Sequence, residues 1–293
     1  MSKQTIPYGK EIFMAFTGFS LWTVTDTFIR ALSDFPTLLI SCIASIISVC
    51  FMCALSPYLG GLKDTFTRPQ LKLRLFRGFI ISFAHVCAYI TFHNLDLTTG
   101  YALIFAAPFV AKILSVIITG EKIRPRSWAI TTLGFIGVLI VLRPGFIEMN
   151  IGFISALVLA FCFGWGYVLT KYIDQESQTF LSLGLFQYMF VAIYLAIPAI
   201  HAFLNMEQVF ELKHIISIIC LSLSGFSGTI LISAAYKTGP TQIIAPIHYV
   251  QILWGALFSA IFFGEYPDQW TIVGASVIVL SGILLIKYTR PIA

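Results

Sequence analysis

One pattern occurs twice in this chain of 293 residues. Residues 106–128 read AAPFVAKILSVIITGEKIRPRSW, and residues 244–270 read IAPIHYVQILWGALFSAIFFGEYPDQW. Each copy holds an Ala-Pro pair, a long apolar run, a Gly-Glu stop and a Trp that opens another apolar run. The copies lie about 140 positions apart, so the chain reads as two related halves, 1–146 and 147–293. In a chain as apolar as this one, two related halves point to a membrane carrier built from internal repeats.

The apolar character is plain. Apolar residues make up 58% of the chain and charged residues 11%, where a soluble domain carries roughly 25% charged residues. Mean hydropathy is +0.90. The class expected is an all-α membrane protein crossing the bilayer many times. The six cysteines, including Cys50 and Cys53 in a C-x-x-C, all fall inside apolar runs. They read as small apolar filler, not as a disulfide framework. The start, MSKQTIPYGKEIF, is polar and carries two lysines, so no cleavable signal peptide is expected.

A membrane-crossing helix needs about 20 apolar residues. Ten such runs are present: 12–32, 36–56, 77–94, 98–119, 126–143, 151–171, 178–200, 213–235, 240–263 and 269–288. With the N-terminus cytoplasmic, the inner side holds 14 of the 18 lysines and arginines. The outer side holds Arg30, Arg143 and Lys213, and Lys112 is left inside a span. This asymmetry satisfies the positive-inside rule with both termini cytoplasmic. It places the chain in the cell inner membrane, and the net charge of +5 reflects orientation, not nucleic-acid binding. Five spans per half is an odd number, so the second half is inverted, and inverted repeats put the substrate site at their interface. The first spans of the halves also echo each other, GFSLWTVTDTFIR (18–30) against FCFGWGYVLTKYI (161–173).

Ten spans, two five-span halves and a Gly-Glu near the end of the fourth span of each half resemble the EamA branch of the drug/metabolite transporter superfamily. The residues that carry the resemblance are Pro108, Gly120, Glu121 and Trp128 in the first half. In the second they are Pro246, Gly264, Glu265 and Trp270. Pro108 lies 13 residues before Glu121 and Pro246 lies 19 before Glu265, so span nine is not a simple copy of span four. The resemblance implies alternating-access transport of a metabolite such as an amino acid, a nucleoside-like solute or S-adenosylmethionine. It also implies a cavity lined by spans one, three, four, six, eight and nine.

Polar groups inside spans are the candidates for carrying that function, because each is costly in hydrocarbon. On a rise of about 1.5 Å per residue, Lys112 lies about 10 Å, His85 and His248 about 12 Å and Gln187 about 14 Å from the inner edge. Asp26 lies about 9 Å from the outer edge. Lys112 is the sharpest candidate, expected to bind an anionic substrate group or to pair with Asp26; snorkelling to the headgroups is the competing reading. Asp26 could carry a coupling proton or balance a cationic substrate. His85 and His248 could take part in proton coupling or bond a helix carbonyl. Gln251 shares a face with His248, while Tyr249 and Trp165 add aromatic surface, and Trp165 is expected to border the cavity. Glu121 and Glu265 read as structural, bonding the N-termini or the Trp of the following spans. Pro108 and Pro246 open the backbone hydrogen-bond ladder inside spans.

A secondary transporter accounts for these features together. There is no G-x-x-x-x-G-K-[ST] segment for ATP and no H-E-x-x-H, and the five histidines are scattered, so neither a cofactor, a metal site nor an enzyme is expected. A channel or scaffold leaves the repeat unexplained. The partners expected are the lipid bilayer and a small-molecule substrate; the pattern is compatible with a homodimer.

Overall fold

The structure, a computed structural model, describes residues 8–119, 125–143, 150–173, 175–238 and 244–288. The described elements are helical throughout. They are α1 (Gly9–Ala31), α2 (Thr37–Ala54), the short α3 (Leu62–Thr67), α4 (Leu71–Asn94), α5 (Leu97–Ile104), α6 (Ala107–Thr119) and α7 (Pro125–Leu142). They continue with α8 (Ile151–Tyr172), α9 (Phe180–Asn205), α10 (Leu212–Thr238), α11 (Val250–Phe258) and α12 (Gln269–Tyr288).

Among the described residues, eight segments are long and apolar enough to cross a membrane: α1, α2, α4, the stretch Leu97–Leu114 that joins α5 to α6, α7, α8, α9 and α10. Two shorter apolar helices, Ile247–Phe263 and Gln269–Leu284, stand where spans nine and ten are expected. Three helix starts have N–H groups satisfied by side chains. Asp96 accepts from Thr99 at 2.9 Å, and Asn150 from Gly152 at 2.8 Å. Thr179 and Ser182 form a reciprocal capping box at the start of α9.

The helices of the first half pack chiefly on helices of the second. The most extensive pairs are α1 with α10, α7 with α12, α4 with α8 and α2 with α9, and α5 crosses α11. Two of these crossings rest on reciprocal glycines that bring backbone against backbone. A Cβ at Gly18 would meet Gly228 O at 3.1 Å, and one at Gly228 would meet Gly18 O at 2.8 Å. Gly137 and Gly274 repeat the arrangement between α7 and α12, at 2.8 and 2.6 Å. Without a hydrophobic drive between helices in lipid, close approach of this kind supplies the packing attraction.

Two spans are broken. Span four divides between α5 and α6 at Phe105 and Ala106, and Pro108 falls in the first turn of α6, where a missing N–H is tolerated. Span nine opens with a tight 3-10 segment over 245–249 that contains Pro246, continues as α11 and ends in a wide π turn over 259–263. Gly264 follows with φ +66°, a left-handed conformation that only glycine adopts without strain. This explains the Gly in one of the two Gly-Glu stops; Gly120 and Glu121 lie outside the described residues. Glu265 does not bond Trp270 or the next helix start. The turn at Gly264 directs it to Arg30 at the end of α1, at 2.5 Å, while Asp268 caps α12 by accepting from Thr271 at 2.7 Å.

Candidate functional site

The two breaks meet at the centre of the molecule. Phe105, at the break of span four, lies with its ring 4.9 Å from His248 and 4.6 Å from Tyr249, both in the 3-10 segment of span nine. Beside this contact is a cavity of about 70 Å³. Its wall is built by α1 (Trp22, Thr25, Asp26, Ile29), α4 (Ile81, His85, Tyr89, Phe92), α5 (Tyr101, Ile104), α8 (Leu159, Phe163), α10 (Gly225, Thr229) and span nine (His248, Gln251). These are the six expected spans. A seventh contributor, α9, adds Gln187 and Tyr188.

Asp26 is the one carboxyl side chain in the described wall and is 8% exposed. Its Oδ2 accepts from the Tyr101 hydroxyl at 2.6 Å. Among the described residues no cation pairs with it. Arg30, one turn further along α1, is held elsewhere, by Glu265 and by the His93 carbonyl at 2.9 Å. Two threonines of the wall are tied to their neighbours. Thr25 and Ser224 share a hydrogen bond of 2.7 Å across the α1–α10 seam. Thr229 receives Trp22 Nε1 at 3.3 Å and lies 3.2 Å from the Tyr188 hydroxyl. His85 sits edge-on to Tyr188 at 4.9 Å, and its Nε2 is buried with no hydrogen-bond partner.

Ionic and aromatic contacts tie the halves together on either side of the cavity. At the end of the bundle expected to face outward, Arg30 with Glu265 and Arg143 with Asp268 are ion pairs, each joining the two halves. Further along α1 the contacts are aromatic. Trp22 and Phe163 stack at 5.9 Å with an interplanar angle of 7°, and fully buried Phe19 stacks on His248 at 4.5 Å.

Of the candidates taken from the sequence, Asp26, His85, His248 and Gln251 are brought together in the wall, with Gln187. Tyr249 stands just outside it, stacked on Phe105 and pressed against Gly282 of α12. Lys112 is placed away from the cavity, against α7. Its ammonium donates to the Ser127 carbonyl and the Ser127 hydroxyl, both at 2.8 Å, and to the Thr131 hydroxyl. Three acceptors meet the three ammonium hydrogens, so it neither pairs with Asp26 nor faces the wall. Trp165 likewise turns aside, edge-on to Phe161 at 5.7 Å. Gly164 and Gly166 serve close packing, on Val110–Ala111 and on Ile81. Sequence reasoning did not single out Tyr101, and it did not pair Glu265 with Arg30. A tyrosine in an apolar run and two charges at span ends carry little signal until the fold joins them. Among the described residues, no group of three His, Cys, Asp or Glu side chains could hold a metal ion.

Comparison with known proteins bears on what this architecture serves. An uncharacterised transporter of Helicobacter pylori is 25% identical over 223 residues, covering 73% of each chain. The S-adenosylmethionine uptake transporter of Rickettsia bellii is 25% identical over 232 residues, 78% of this chain and 76% of that one. A solved crystal structure superposes with a TM-score of 0.63 at 15% identity, over 96% of this chain and 99% of the other, which shows a shared fold. The model of the EamA-like transporter family matches twice, at residues 9–143 and 150–288. A helical bundle crossed by two broken spans, matched over nearly its whole length in two successive stretches, is therefore a membrane transporter that belongs to the EamA-like transporter family.

Proposed function

We propose that this chain is a ten-span secondary transporter that carries a small metabolite across the cytoplasmic membrane by alternating access, with both termini in the cytoplasm. The observation that carries the reading is the central cavity, enclosed by both halves at the meeting point of two broken spans. Broken helices near the midplane are where carriers bind substrate, since backbone irregularity is tolerated there only beside protein or a polar cavity.

The packing supports an inverted relation between halves 1–146 and 147–293. Exchange span one with six, two with seven, three with eight, four with nine and five with ten. The pair α1–α10, spans one and eight, then becomes α8–α4, spans six and three. The pairs α2–α9, α5–α11 and α7–α12 map onto themselves. All are pairs that the bundle makes. Rocking of one half against the other would break the outer ion pairs and open the cavity to the outside. Asp26, His85, Gln187, His248 and Gln251 are the substrate-facing groups in this reading. Tyr249, Pro108, Pro246, Gly264 and Glu265 shape the two breaks and their closure. The relative from Rickettsia bellii is named for uptake of S-adenosylmethionine, which makes that solute the first to test.

The test is counterflow in proteoliposomes. Vesicles preloaded with unlabelled solute should take up labelled solute faster than empty vesicles, and the rate should saturate. Uptake that neither saturates nor responds to the solute inside identifies a channel and overturns the carrier reading. Reporter fusions at Ala293 and within the 57–76 loop should both report cytoplasm.

A further inference from the structure

Resting on that reading, we propose that the transported solute is an organic monocation whose positive group is held against Asp26 within a cage of aromatic rings. Among the described residues the cavity wall holds one carboxyl side chain and no lysine or arginine. Asp26 is 8% exposed and shares one oxygen with the Tyr101 hydroxyl, at 2.6 Å. A buried carboxylate without a cation is costly, and either a proton or a positive group brought by the solute relieves it.

The remaining wall suits an organic cation better than a metal ion. Trp22, Tyr89, Phe92, Phe163 and Tyr188 surround the site, and their ring faces attract positive charge by about 0.5–2 kcal/mol each when water is excluded. A hard metal cation takes six or more oxygens, and the described wall offers one carboxylate. An anion would meet Asp26 with no cation to offset it. The buried, unpartnered Nε2 of His85 and the amides of Gln187 and Gln251 leave polar positions for the neutral part of a solute. The competing role for Asp26, a coupling proton site that serves a neutral solute, is separated from this one by the experiment.

The experiment uses the full chain in detergent and in proteoliposomes with probes matched in shape and differing in charge. S-adenosylmethionine is paired with S-adenosylhomocysteine, choline with 3,3-dimethylbutan-1-ol, and arginine with citrulline. Binding is read by quenching of tryptophan fluorescence and by competition between members. At least one cation should bind tenfold or more tighter than its neutral partner. Asp26→Asn, which keeps an acceptor for Tyr101, should erase that preference, and Asp26→Glu should retain part of it. Three results overturn the proposal: no cation in the panel binds; neutral and charged partners bind alike; or the preference survives in Asp26→Asn. Counterflow separates this proposal from the carrier reading. Trans-stimulated flux of a neutral member that needs Asp26 and a pH gradient sinks the cation and keeps the carrier. Loss of trans-stimulation for every solute that crosses sinks the carrier itself.

Discussion

Asp26 and Lys112 both place an ionisable group inside an apolar span, and the fold treats them in opposite ways. Lys112 is met on all sides by its own hairpin. Its span is followed directly by α7, which presents the Ser127 carbonyl and the hydroxyls of Ser127 and Thr131 one turn apart. Among the described residues Asp26 has a single protein donor, Tyr101, and it otherwise faces the cavity. A charge in a membrane span is therefore a pointer to transport chemistry only where its satisfaction is left to something that enters and leaves. Where the neighbouring helix supplies a complete set of partners, the same charge is part of the packing.

The comparison is broken most severely by removing the carboxylate. Asp26→Asn should lower flux on the order of a hundredfold or more, because losing one partner of a buried charge pair costs about 3–5 kcal/mol. The check is initial uptake rate in proteoliposomes at matched protein amounts, with circular dichroism to establish that the variant is folded. A smaller loss follows from Tyr101→Phe. It removes one buried hydrogen bond to the Asp26 carboxyl, and should lower flux about tenfold and lower the melting temperature as well. Wild-type flux in that variant would show that Tyr101 does not orient the carboxylate.

The closure at the expected outer end comes next. Arg30 and Glu265 are partly exposed, 22% and 33% at the side chain, so their coupling in a double-mutant cycle with Arg30→Gln and Glu265→Gln should be about 1 kcal/mol. Thermal unfolding in detergent measures it, and strictly additive effects would remove the tie from the account. The smallest effect on transport belongs to Lys112→Met. Flux should stay within about twofold, while stability falls by about 1–2 kcal/mol as the hydrogen bonds to Ser127 and Thr131 are lost.

The contrast between the two charges also marks how far the sequence could be read. The apolar runs and the polar positions within them were legible, because a His, Gln or Asp in a 20-residue apolar run stands out against hydrocarbon. Five such residues, Asp26, His85, Gln187, His248 and Gln251, meet in one wall. The direction in which a side chain leaves its helix was not legible. Lys112 and Trp165 turn away from the cavity, Lys112 toward hydroxyls in the next helix and Trp165 toward Phe161. Nearly every position of these spans is apolar, so the sequence carries no amphipathic stripe to say which face looks inward. Long-range partners were hidden for a different reason. Arg30 and Glu265 are 235 residues apart, and each resembles an ordinary span-end charge until the turn at Gly264 aims one at the other. Span four divides where Pro108, lacking an N–H, leaves the Ile104 carbonyl without its helical donor: α5 ends at Ile104 and the proline sits in the first turn of α6.

The claim that transport runs past Asp26 and not past Lys112 is tested most directly by one paired measurement. Trans-stimulated uptake of the solute that wild-type proteoliposomes accumulate is compared in Asp26→Asn and Lys112→Met, with each variant reconstituted at the same density. The account predicts uptake at background for Asp26→Asn and close to wild type for Lys112→Met. Background uptake in Lys112→Met together with near-normal uptake in Asp26→Asn would contradict it.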